Sequence, residues 1–161
     1  MIHSNRRHEK MPREGAENLI SAVAKAMGKK KLNVDNFKDR LLMQKGCFIL
    51  NEKGVCPRYN FGMYIRGPYS RELADDYYEL LEKGISYETD VKSELIDEVS
   101  DLMSKGAPFV EAYATLLLAL KHNPKMKEKA ELMEFVINIK PHLEEKIKEA
   151  AELITIPKYA I

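Results

Sequence analysis

The chain has 161 residues, 45% of them hydrophobic and 32% charged, with a formal net charge of +1. A chain of this length buries roughly 68–70% of the surface it exposes unfolded, so it needs neither a disulfide nor a metal as a staple. Its most apolar run, Ala112 to Leu120, is far short of the roughly 18–20 residues of a membrane span, and the basic, polar N-terminus lacks the apolar segment of a secretory signal.

Residues 1–14 read as a basic flexible arm, with Pro12 and Gly15 at its end. From Ala16 to about Met27, Leu19, Ile20, Val23 and Met27 form one helical stripe, which Gly28 and three lysines close. A second helix is expected at roughly 36–51, capped by Asn33 or Asp35. Its apolar residues Phe37, Leu41, Leu42, Phe48, Ile49 and Leu50 cover so much of the circumference that it should be central. Gly46 inside it costs about 1 kcal/mol against alanine, which suggests a close helix crossing.

Tyr59, Phe61, Met63 and Ile65 then alternate with Asn60, Gly62, Tyr64 and Arg66, the pattern of a half-buried strand over about 59–66. Gly67-Pro68 breaks that run, and Ser70 can cap a helix at 71–83 that keeps Leu73, Tyr77, Leu80 and Leu81 on one side and stops at Gly84. Ile85 to Glu88 is expected to supply a second strand pairing with the first. Four helices should follow: one from about Val91 ending at Gly106, one opened by Pro108, one at about 126–139, and one opened by Pro141 and ended by Pro157. The expected fold is α+β and predominantly helical. A helix-strand-helix-strand module at 33–88 and a four-helix layer at 90–156 make a single domain of residues 15–161.

Arg40-Leu41-Leu42-Met43-Gln44-Lys45 heads an apolar helix, and Tyr59, Phe61, Tyr64, Gly67-Pro68-Tyr69-Ser70 and Leu73 follow it. This pattern resembles the YwgA-like family of bacterial and archaeal proteins. More distantly it is similar to the SocA-like (Panacea) antitoxin domain, whose signature is a Leu-Gln-Lys helix followed by a Gly-Pro turn. The resemblance covers residues 36–84. It implies a compact, winged-helix-like module without known catalytic activity and, in the antitoxin branch, a protein that works by gripping another protein. Tyr69 departs from that branch, which usually carries an aliphatic residue after the Gly-Pro.

All seven arginines lie at or before Arg71, and residues 1–31 hold eight Lys/Arg against three Glu. Arginine's planar fork suits specific recognition of carboxylate or phosphate, so recognition is expected in the first half. Arg58, Tyr64, Arg66, Tyr69 and Arg71 are the candidate partner-binding residues, set beside the start of helix 71–83, where free N–H groups favour an acidic group. The plainer reading pairs Arg71 with Asp75 and Arg66 with Glu72 as ordinary surface contacts. Gln44 and Lys45 are expected to hydrogen-bond the backbone of the strand and turn, with ligand contact as their second role.

No catalytic motif is present: there is no G-x-S-x-G, no Walker loop and no G-x-G-x-x-G. His3, His8, His122 and His142 lack helical metal-site spacing, and neither a metal nor a cofactor is implied. Cys47 and Cys56 fit no metal or redox motif and suit a reducing, cytoplasmic setting. The sequence therefore favours a non-enzymatic regulatory binding module with a protein partner. Its alternative is a DNA-binding transcriptional regulator using helix 71–83 and the basic arm, although Glu72, Asp75, Asp76, Glu79 and Glu82 on that helix oppose a phosphate backbone. The apolar C-terminus, Ile154, Ile156, Tyr159 and Ile161, is expected to dock on its own core or on a second copy in a homodimer.

Overall fold

The computed structural model describes residues 11–156, which contain seven α-helices and one two-stranded antiparallel sheet. The first helix, α1 (Ala16–Ala26), buries the stripe Leu19, Ile20 and Val23. Next comes α2 (Phe37–Glu52), capped not by Asn33 or Asp35 but by Asn36, whose side chain accepts from the Asp39 N–H at 3.0 Å. Every residue from Leu41 to Asn51 is buried, as expected of a central helix covered on all sides. Gly46 explains how its neighbours come so close. A Cβ there would stand 2.5 Å from Val23 Cγ1 on α1 and 2.9 Å from a Met103 methyl, so α2 is pinched at that point by two other helices.

The sheet differs from the expected one. Strand β1 (Gly62–Tyr64) pairs with β2 (Gly67–Tyr69) in the register Gly62↔Tyr69, Met63↔Pro68 and Tyr64↔Gly67. The long strand over 59–66 is thus cut short, and the Gly-Pro pair is not the corner but part of the second strand. The corner is Ile65-Arg66, followed by Gly67 at φ 93°, a left-handed conformation that closes a tight hairpin and favours glycine. Proline has no N–H to give a ladder, and position 68 does not ask for one. It lies between the two outer pairs of a short edge hairpin, where the missing donor is tolerated.

Helix α3 (Arg71–Lys83) begins as expected, with Ser70 Oγ accepting from the Leu73 N–H at 3.2 Å, and ends at Gly84. Residues 85–88 form no strand. Their polar groups are taken up by other partners: the Ser86 N–H donates to Glu17 Oε2 at 3.3 Å, and the Tyr87 hydroxyl accepts from the Leu32 N–H at 3.0 Å. The module therefore runs helix, strand, strand, helix, because the hairpin closes on itself and leaves segment 85–88 free to lie across α1.

After it come α4 (Ser93–Met103), α5 (Ala107–His122), α6 (Lys129–Ile139), a single 3₁₀ turn (Pro141–Leu143) and α7 (Glu144–Ala151). These helices are not merely stacked on the module. Helix α5 touches α2, β2, α4, α6 and α7, and buried residues from all seven helices meet in one continuous core. Ile154 and Ile156 bury against that core, whereas Tyr159 and Ile161 lie outside the described residues, as do Arg6, Arg7 and Lys10 of the basic arm. Arg13, expected within a flexible arm, is docked: its guanidinium lies 4.6 Å from the centre of the Tyr59 ring and donates to the Arg58 carbonyl.

Candidate functional site

The hairpin is held from below by side chains of α2, of α5 and of the residue that follows α6. Gln44 makes a two-way contact with Ser70, donating to its carbonyl at 2.9 Å and accepting from its N–H at 2.8 Å. Lys45 donates to the Pro68 carbonyl at 2.8 Å, which gives an outward-facing oxygen of β2 a buried partner. Both side chains thus bind the strand and turn backbone, the contact expected for polar residues in an apolar helix. Lys140, just past α6, donates to the Ile65 carbonyl at the hairpin tip. Its ammonium also lies 3.2 Å from Glu111 Oε2 on α5, and both side chains are almost fully buried, at 4% and 6% exposure. One buried carboxylate thus serves a region holding two buried ammonium groups.

This arrangement shifts Lys45. Burial lowers its pKa from 10.5 to about 8; Glu111 opposes the shift, while Lys140 and Arg66 add to it. The unfolded chain therefore binds more protons than the folded one between about pH 8 and pH 10.5, and this lysine contributes a stability that rises with pH across that window. The Cys47 thiol, raised by burial, acts in the opposite direction above about pH 9, so wild type must be compared with a variant that shares it. In urea unfolding, wild type is expected to gain stability relative to Lys45→Met as pH rises from about 7.5 to 9.5. A constant difference between the two would show that Lys45 is not titrating there.

Above this base, between α2 and the hairpin, lies a pocket of about 310 Å³. Phe37, Arg40, Leu41 and Gln44 line one side, at i, i+3, i+4 and i+7 on a single face of α2. Tyr64, Ile65, Arg66, Gly67 and Tyr69 supply the hairpin side, Lys45 the floor, and Tyr77 and Tyr78 of α3 the remaining wall. The Arg40 and Arg66 guanidinium carbons lie 5.7 and 5.2 Å from the centre of the Phe37 ring, within cation–π range. Tyr64 and Tyr69 meet edge to face with centres 5.4 Å apart.

The structure brings together three of the five candidate partner-binding residues, Tyr64, Arg66 and Tyr69, at this pocket, with Gln44 and Lys45 beneath them. Arg58 and Arg71 are exposed but do not line it. Neither surface pairing expected for the arginines forms: among the described residues no carboxylate makes an ion pair with Arg66 or Arg71. The start of α3 is no open anion site, because Ser70 Oγ caps it and Glu72 stands there, accepting from Ser70 Oγ at 3.1 Å. The cations Arg40, Arg66 and Lys45 line the pocket instead.

Sequence reasoning does not single out Phe37 and Arg40 as site residues, although the spacing of 37, 40, 41 and 44 marks one helical face that ends on Gln44. Glu111 and Lys140 give no local signal. Among the described residues no group of His, Cys, Asp and Glu is placed to hold a metal ion, and no helix is long and apolar enough to cross a membrane. Comparison of the chain with protein-family models, with curated proteins and with solved structures finds no match.

Proposed function

We propose that this chain is a non-enzymatic regulatory binding module that recognises a protein partner, in the manner of an antitoxin or an adaptor, in the cytoplasm. The observation that carries this reading is the makeup of the hairpin tip and its pocket. Phe37, Tyr64 and Ile65 are large apolar side chains left exposed, and Arg40 and Arg66 stand among them. Aromatic residues and arginine are the types that dominate binding hot spots. The buried contacts beneath the hairpin support the reading further, because a surface fixed before binding loses less entropy on association. The resemblance of the residue pattern at 36–84 to the YwgA-like family, and distantly to the SocA-like domain, is in keeping with this reading.

The alternative is a DNA-binding regulator in which the helix–hairpin–helix run is winged-helix-like and α3 enters a groove. It has less support. Glu72 and Glu82 are exposed on that helix, and a phosphate backbone is bound by cations.

The test is capture of a partner from native extract by the tagged chain and by its Arg66→Ala, Arg71→Ala double variant. Both arginines are exposed, so the unfolding midpoint should be retained while captured partner falls about tenfold or more. Unchanged capture would refute the role of this surface.

A further inference from the structure

The pocket beside the hairpin has a sharper chemistry than a general contact surface. Its walls are aromatic and aliphatic, its ionisable groups include Arg40, Arg66 and Lys45, and no aspartate or glutamate among the described residues lines it. Two guanidinium groups flank the single ring of Phe37, and among the described residues neither is in an ion pair. Of the acids near the pocket, Glu111 is buried under the hairpin, 3.2 Å from Lys140, Glu72 stands at the start of α3 and Asp75 lies within electrostatic reach of Tyr69, and none of the three lines it. A carboxylate entering between the arginines would therefore meet two cations that no carboxylate among the described residues neutralises, beside an apolar surface.

Size and surroundings indicate what carries that carboxylate. About 310 Å³ is the liquid volume of roughly ten waters, room for one large side chain and an adjoining acid but not for a folded element. The apolar surface continues beyond the mouth: Phe37 is 51% exposed, Tyr64 59% and Ile65 84%. A small molecule filling the pocket would leave that rim wet, whereas a polypeptide crossing it would cover it. We infer that the pocket takes an acidic residue next to an aromatic or large aliphatic one, presented by an extended segment of the protein partner. This rests on the protein-binding reading and states which chemistry of partner the surface selects.

The experiment uses the full chain labelled with ¹⁵N and three probes: a blocked six-residue peptide with a central glutamate–phenylalanine pair, its glutamine–phenylalanine twin, and sodium 2-naphthoate. The glutamate peptide should shift the amides of Phe37, Arg40, Ile65 and Arg66 saturably and bind about tenfold more tightly than its twin, the size of one charge-assisted hydrogen-bonded contact. The Arg40→Gln, Arg66→Gln double variant also gives up the Arg40 bond to the Val34 carbonyl at 2.7 Å, so its fold is checked by the ¹⁵N spectrum; it should stay folded and lose that preference, and added salt should weaken the preference in wild type. Equal binding of the twins, shifts elsewhere on the protein, or a preference that survives the double substitution would overturn the inference. Naphthoate binding as tightly as the glutamate peptide would overturn the polypeptide source. If the twins bind equally while the Arg66→Ala, Arg71→Ala chain still loses its partner, the pocket chemistry fails and the interface stands. If the peptide preference holds while that chain keeps its partner, the interface fails instead.

Discussion

Glu111→Gln is expected to destabilise the protein by about 3–5 kcal/mol, the cost of removing one member of a buried ion pair. The Glu111 carboxylate lies 3.2 Å from the buried Lys140 ammonium and is also the group that holds the Lys45 pKa up against burial. A neutral amide there leaves both ammonium groups buried without a carboxylate, among neutral acceptors such as the Pro68, Ile65 and Tyr64 carbonyls. The Lys45 pKa should then fall further below its value of about 8. The combined Glu111→Leu, Lys140→Met change should be far milder, because it removes both charges of the pair and keeps the volume filled. Urea unfolding of the two variants checks this. A loss below about 1 kcal/mol for Glu111→Gln would show that the carboxylate does not hold the base of the hairpin.

Gly67→Ala is expected to cost about 2–5 kcal/mol, through two separate effects. At φ 93° an L-residue adopts a left-handed backbone, worth about 1–2 kcal/mol. A Cβ there would also stand 2.8 Å from Thr115 Oγ1 and 3.3 Å from Lys45 Cε, an overpacking worth about 1–3 kcal/mol. Thr115 cannot turn aside freely, because its hydroxyl donates to the Glu111 carbonyl at 2.7 Å. Gly28→Ala separates the two effects. Gly28 has φ 72° but nothing within 4 Å of where a Cβ would stand, so its substitution should show the backbone cost alone. Equal losses at the two sites would mean that the hairpin is not pressed against α5.

Most of the helical plan can be read in the chain. The stripes of α1, α3 and α4, the Ser70 cap and the Gly84 stop are local features, and local sequence encodes them. Gly46 is informative for the same reason: a glycine inside a helix of large apolar residues calls for a physical cause, and the crossing with α1 supplies it. The hairpin is harder. Alternation over 59–66 reveals a strand but not where it turns, and Gly-Pro looks like a corner whether it forms one or sits in a non-donating position of the second strand. Segment 85–88 has strand-like residues, and its rivals are contacts to Glu17 and Leu32, more than 50 residues away.

The candidate site shows the same divide. Tyr64, Arg66 and Tyr69 sit close together in the chain and meet in space, and Gln44 and Lys45 are legible as polar residues out of place in an apolar helix. Arg58 belongs with them only by proximity in sequence, since its carbonyl serves the Arg13 contact and its side chain does not line the pocket. Lys140 reaches the tip from 75 residues away, a pairing that only the folded chain creates. What fixes the surface is thus largely nonlocal, whereas what the surface presents is largely local.

The most direct measurement is photo-crosslinking in native extract, with a benzophenone side chain placed at Ile65 on the hairpin tip or, separately, at the exposed Leu153 beyond α7. A discrete protein adduct from position 65, absent from position 153 and from wild type, is the expected result. Adducts of equal yield from both positions, or from position 153 alone, would contradict a recognition surface at the hairpin.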